Sequence, residues 1–87
     1  MSKDVDWRDY IRVDPAICHG KPTFKGTRIM VATILEFVEA GEPFREMKAG
    51  YPALTPRHVQ AAVQFARELI EQGRGVTFQA ARHAASH

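Results

Sequence analysis

G-E-P-F-R-E-M-K-A-G-Y-P-A-L-T-P-R-H-V-Q-A-A-V, residues Gly41 to Val63, holds the end of one helix and the starts of two more. Phe44, Met47, Tyr51 and Leu54 recur at spacings of three, four and three, the period of one helical face. Gly50 and Pro52 limit that helix to about two turns, because proline lacks an amide donor and crowds the preceding turn. Thr55 then offers a side-chain oxygen to the free amides of a new helix. Pro56 stands at its first position, where a missing N–H is no loss. A short helix, a tight turn and a long helix have the proportions of a helix-turn-helix. The same periodicity equally describes a three-helix bundle with no ligand.

Downstream, Val59, Val63, Ala66 and Ile70 trace an apolar stripe along the long helix, which Gly73 ends. Phe44, Met47, Leu54, Val59 and Val63 are expected to pack the last two helices against the first. Upstream, Val31, Ile34, Leu35 and Val38 fall at i, i+3, i+4 and i+7, with Glu36 and Glu39 on the other side. Gly41 is placed to terminate this first helix in a left-handed cap, and Pro43 sits where the next can begin. The expectation is three helices of roughly ten, seven and eighteen residues.

Before the first helix, H-G-K-P-T-F-K-G-T-R-I-M-V (His19 to Val31) gathers Lys21, Lys25 and Arg28 around Gly20, Pro22 and Gly26, with no acid among them. Glycine admits positive φ and proline fixes its own, so this run reads as a tight basic hairpin. Ile11-Arg12-Val13 alternates as a short strand and stops at the turn-initiating pair Asp14-Pro15. Thr27 to Met30 can pair with it or with the same segment of a second copy. Open edges invite pairing, so a homodimer through Ile11–Val13 and Phe24–Met30 is expected, with Trp7 and Tyr10 assisting. Residues 1–10 read as a frayed N-terminal arm anchored at most by Trp7 and Tyr10, residues 11–73 as the folded domain, and residues 74–87 as a C-terminal tail. Val76 and Phe78 suggest a short strand in that tail, and Gln79 to Ala85 a helix-prone stretch that would order on a partner.

A chain of 87 residues, 45% hydrophobic and 25% charged, is one ordinary small domain with little room for an internal substrate cavity. No apolar run reaches membrane-spanning length and the first ten residues are charged, so no membrane association and a cytoplasmic location are expected. One cysteine, Cys18, excludes an intrachain disulfide and any multi-cysteine zinc site. The net charge of +2 is unevenly spread: residues 21–30 carry three bases and no acid, whereas residues 31–54 carry two bases against four acids. Positive potential concentrates on the hairpin, the front of the last helix and the tail, which suits nucleic acid without demanding it.

Catalysis has little support. Asp14, Cys18 and His19 are neighbours in sequence but lack an oxyanion hole or a further partner. Gly20-Lys21 fails as a phosphate-binding loop, because prolines stand at both positions 15 and 22. His58, His83 and His87 share no ligand spacing for a metal. No enzyme activity, cofactor or metal is expected.

The run A-I-C-H-G-K-P-T-F-K-G-T-R-I-M-V, preceded by D-P, together with A-G-E-P-F-R-E-M-K-A-G-Y-P-A-L-T-P-R-H-V-Q-A-A-V, resembles the signature of a small bacterial family, domain of unknown function 433. The resemblance runs from about Ile11 to Gln72. It implies an all-α, homeodomain-like three-helix helix-turn-helix with a small N-terminal β-element. Some members are taken to be antitoxins encoded beside a PIN-like nuclease toxin. The function so implied is a DNA-binding antitoxin that neutralises that nuclease and represses its own operon. The alternative is a protein-interaction module that never touches DNA.

In a helix-turn-helix, early solvent-facing residues of the last helix reach base edges in the major groove. Arg57, His58, Gln60, Ala61 and Gln64 take that role here, with arginine suited to guanine, glutamine to adenine and Ala61 to a thymine methyl. No acid occurs from Thr55 to Ala66. Lys21, Lys25 and Arg28 would hold phosphates beside it. The bland alternatives are a wet helix face and an Arg28 paired with an acid such as Asp14. A dimer would read a palindromic operator.

Overall fold

A computed structural model describes residues 5–73. After a single 3-10 turn at Trp7–Asp9, the chain forms β1 (Ile11–Arg12), a left-handed turn at Cys18–Gly20, β2 (Thr23–Phe24), α1 (Val31–Glu39), α2 (Phe44–Gly50) and α3 (Pro56–Gln72). β1 and β2 are antiparallel, with Ile11 opposite Phe24 and Arg12 opposite Thr23. A further bridge joins Thr23 to Met30, so the segment entering α1 lies along the other side of β2. The molecule is mostly helical, three helices carrying a two-stranded sheet.

The helix boundaries follow from the residues that cap them. Gly41, at φ +74°, closes α1: its amide donates to the Val38 carbonyl and the Glu42 amide to the Phe37 carbonyl, both at 3.0 Å. Only glycine takes that left-handed position without strain, and the paired bonds satisfy carbonyls that the helix end would leave bare. Between α2 and α3, the Lys48 ammonium donates to the carbonyls of Pro52 (2.6 Å) and Leu54 (3.1 Å). The turn is thereby tied from within. Thr55 caps α3, its Oγ1 accepting from the His58 amide while the Thr55 amide donates to His58 Nδ1 at 3.0 Å. An imidazole thus fills the place usually taken by glutamate in a reciprocal capping box.

The core sits where the three helices meet the sheet: Ile11, Phe24, Val31, Ile34, Met47, Leu54, Ala61, Ala62 and Phe65, joined by Val5. Val31 and Ile34 of α1 and Met47 and Leu54 of the helix-turn-helix segment occupy the expected places.

The buried face of α3 does not. Of the stripe expected inside, Val59 packs against the core and Ala66 is half-buried, yet Val63 is 44% and Ile70 64% exposed. Ala61, Ala62 and Phe65 face the core instead, roughly a third of a turn away at 3.6 residues per turn. The physical reason lies in residue size and in the arm. Ala61 and Ala62 let the backbone of α3 approach its neighbours closely, and Phe65 takes a partner from outside the helices, the Trp7 ring, at 4.6 Å and 64°.

The arm from Val5 to Tyr10 is correspondingly part of the fold rather than frayed. Gln64 clasps it through both atoms of its amide: Oε1 accepts from the Trp7 amide and Nε2 donates to the Val5 carbonyl, each at 2.6 Å. Trp7 Nε1 donates to Glu68 at 2.9 Å, and Arg8 lies over the Trp7 ring, 3.6 Å from the same carboxylate. Part of the expected dimer surface is used within the chain, while Arg12, Val13, Lys25, Gly26 and Arg28 stay exposed. Ile11 and Phe24 are buried, Trp7 and Tyr10 pack on α3, and β1 has its partner in β2. The readings made for Met1 to Asp4 and for residues 74–87 lie outside the described residues.

Candidate nucleic-acid interface

The front of α3 is built around His58. Its ring meets Tyr10 edge-on at 5.3 Å and Phe24 at 5.1 Å, so the arm and β2 both dock on the first turn of the helix. Burial lowers the His58 pKa below its ordinary 6.5, and an Nδ1 that accepts the Thr55 amide must also be unprotonated. His58 is therefore a neutral structural residue and is corrected out of the base-reading set.

Two other expected base readers are removed by the same rotation of α3. Ala61 is wholly buried and presents no methyl to a thymine. Gln64 spends both its donor and its acceptor on the arm. Arg57 and Gln60 remain exposed, as do Lys21, Lys25 and Arg28 of the hairpin segment. On the side of α3 turned away from the core, Gln60 is joined at spacings of three and four by Val63 and Arg67, both exposed. Sequence reasoning passed over those two because it placed Val63 inside.

Docking Phe24 against His58 brings together the backbone segments that carry Lys25 and Arg57, the residues next to each. The hairpin there is rigid. Phe24 to Thr27 form a tight turn closed by the Thr27 amide on the Phe24 carbonyl at 3.1 Å, with Gly26 at φ +76° in its third place. Thr27 Oγ1 donates to the Phe24 carbonyl at 2.8 Å and accepts from the Ile29 amide at 3.0 Å. The left-handed turn at Cys18–Gly20 lies against it, the Cys18 thiol 3.7 Å from the Arg28 carbonyl.

Among the described residues, the ion pairs are Arg8 with Asp6 and Glu68, and Arg67 with Glu71. Arg12, Lys21, Lys25, Arg28 and Arg57 take part in none of them. Asp14, the acid considered for Arg28, instead accepts the Ala16 amide at 2.9 Å. Arg12 was missed in the sequence, although the alternation that buries Ile11 turns its neighbour outward. Among the described residues no group of three histidines, cysteines or acids is placed to hold a metal ion. No helix there is long and apolar enough to cross a membrane.

The sequence profile of a family described as protein of unknown function (DUF433) matches residues 11–66, from β1 into α3. This chain belongs to the DUF433 family. A crystal structure of a DUF433 member protein from Anabaena variabilis is similar, with 32% identity and a TM-score of 0.65. That match covers 75% of this DUF433 chain and 64% of the Anabaena one, so the chain spans less than two thirds of its relative's length. No functionally curated protein matches the chain significantly. The family match begins after the arm, so Trp7 lies outside the profile while its partner Gln64 lies inside it.

Proposed function

We propose that this protein is a DNA-binding regulator of the antitoxin type, with α2, its turn and α3 acting as a homeodomain-like helix-turn-helix. The supporting observation is the packing of Phe24 and Tyr10 on His58, which joins the basic hairpin segment, whose cations form no ion pair among the described residues, to the first turn of α3. The base-reading set is then Arg57, Gln60 and Val63, with Arg67 toward a phosphate and Val63 in the apolar role first given to Ala61. Lys21, Lys25 and Arg28 bind the backbone. Two copies would read a palindrome with half-sites about 34 Å apart. The nuclease partner comes from the resemblance to antitoxins, and a PIN-like reading frame beside the gene would support it.

A second reading, an interaction module without DNA, draws on Val63, Leu69 and Ile70, which expose apolar surface along α3. Gel shift with the protein's own upstream DNA at low salt separates the two. Arg57→Ala and Gln60→Ala should each weaken binding by about 1–3 kcal/mol and relax preference at one base. Lys25→Ala should weaken all sequences alike and reduce the salt slope by about one. No shift at micromolar protein, with or without the neighbouring gene product, would leave the interaction module. Light scattering at ~100 μM, well above the Kd of typical specific dimers, tests for the second copy.

A further inference from the structure

We infer that the groove between Arg12 and Arg28 is a phosphate-binding site. The inference rests on the nucleic-acid reading for the source of the phosphate but not for the chemistry of the site. A groove of about 430 Å³ is lined by Arg12, Ile17, Gly26, Thr27 and Arg28. Both guanidinium residues are exposed and without an ion pair among the described residues, and the lining contains no acid. Like charges brought to one cleft repel each other, and an anion between them removes that repulsion.

The walls are held by elements far apart in sequence. Arg12 comes from β1, one register step beyond the Ile11–Phe24 pair, and Arg28 follows the tight turn that leaves β2. Thr27 locks that turn with its hydroxyl, and the Cys18 contact to the Arg28 carbonyl fastens the Ile17 wall to the same point. The cleft is therefore formed before any ligand arrives, and binding orders little more than two side chains. The amides of Gly26 and Arg28 donate to no described residue, so backbone N–H groups are available beside the cations. Forked guanidinium donors with turn amides suit the oxygens of a phosphate ester or of a free phosphate. Sequence reading gave Arg28 a phosphate together with Lys21 and Lys25, and the groove adds Arg12 as its counterpart.

Two measurements on the full chain test the site. In the first, the amide spectrum of labelled protein is followed while inorganic phosphate is added, against sodium chloride at matched ionic strength. The expected result is a saturable shift at Gly26, Thr27 and Arg28 that chloride does not produce and that Arg12→Gln with Arg28→Gln removes. In the second, the salt dependence of DNA binding is compared between wild type and that double variant. A groove seated on the DNA backbone reduces the log–log slope by about 0.9 for each phosphate released from contact, equally for all sequences. An unchanged thermal midpoint certifies that the variant is folded.

A shift with inorganic phosphate and an unchanged slope supports the site with a free phosphate as its ligand. A reduced slope supports it with a phosphodiester, whether or not inorganic phosphate also shifts the groove. No selective shift together with a wild-type slope overturns the inference while leaving the DNA reading intact. If the wild type binds no DNA, the proposed function falls, and the phosphate titration alone decides the groove.

Discussion

Replacing Gln64 by alanine separates the observed face of α3 from the one its sequence suggests. On the sequence stripe Gln64 is a wet residue whose loss costs under about 0.5 kcal/mol, while Val63→Ala opens the core. In the structure the Gln64 amide makes two bonds of 2.6 Å to the arm, with Val5 buried and Trp7 half-buried behind it. At about 0.5–1.5 kcal/mol net per bond, Gln64→Ala should cost about 1–3 kcal/mol, toward the upper end if water cannot reach the freed Val5 carbonyl. Val63, at 44% exposure, should cost less than about 0.5 kcal/mol when cut to alanine. In a domain this small the Gln64 loss lowers Tm by roughly 4 °C or more. Trp7 is the only tryptophan and sits on the clasp, so its emission reports the arm while far-UV dichroism reports the helices. Gln64→Ala should shift Trp7 emission to the red before helix is lost. Gln64→Glu keeps the acceptor for the Trp7 amide but sets a carboxylate against the Val5 carbonyl, and should be no more stable than Gln64→Ala at neutral pH. The reasoning fails if Val63→Ala costs as much as Gln64→Ala, or if Trp7 emission is indifferent to Gln64.

Ile34 is wholly buried between α1 and the rest of the core, and Ile34→Ala should cost about 2–5 kcal/mol in urea unfolding. Thr23 is also wholly buried, and its Oγ1 has no hydrogen-bond partner among the described residues. Thr23→Val should therefore be neutral or stabilising by up to about 2 kcal/mol, and a loss of stability would mean that the hydroxyl has a partner. His58 titrates lower in the folded chain than its unfolded value of about 6.5. Between those two values the unfolded state binds more protons, so stability should fall as pH drops through that window and level off below the folded pKa. Unfolding curves measured across the window should show the slope in wild type and lose it in His58→Gln.

Local chemistry is where the chain was most legible. The glycine after α1, the Thr55-Pro56 start of α3 and the tight turn at Gly26 are set by residues within four positions of one another. Backbone donors and acceptors must be satisfied locally at such ends, so capping residues announce them. The three helices and a strand beginning at Ile11 were accordingly readable, though it ends at Arg12 and pairs with Thr23–Phe24 rather than Thr27–Met30, and so were exposed Arg57, Gln60, Lys21, Lys25 and Arg28. The role of Gln64 was not, because a polar residue on a helix looks the same whether it faces water or the backbone of an arm fifty-seven residues away. Arg12 became a candidate only once strand register placed it against Thr23.

What the sequence determined alone is the succession of the three helices and where positive charge gathers ahead of them. Which stripe of α3 turns inward was left to the tertiary structure. The helix carries two apolar stripes, Val59–Val63–Ala66–Ile70 and Ala61–Ala62–Phe65, and helical periodicity cannot rank them. The second is buried because close approach over two alanines and a Trp7 ring against Phe65 fill space better than the larger side chains of the first. That choice depends on atoms brought together from both ends of the chain. It also decides which side chains of α3 remain free for a partner.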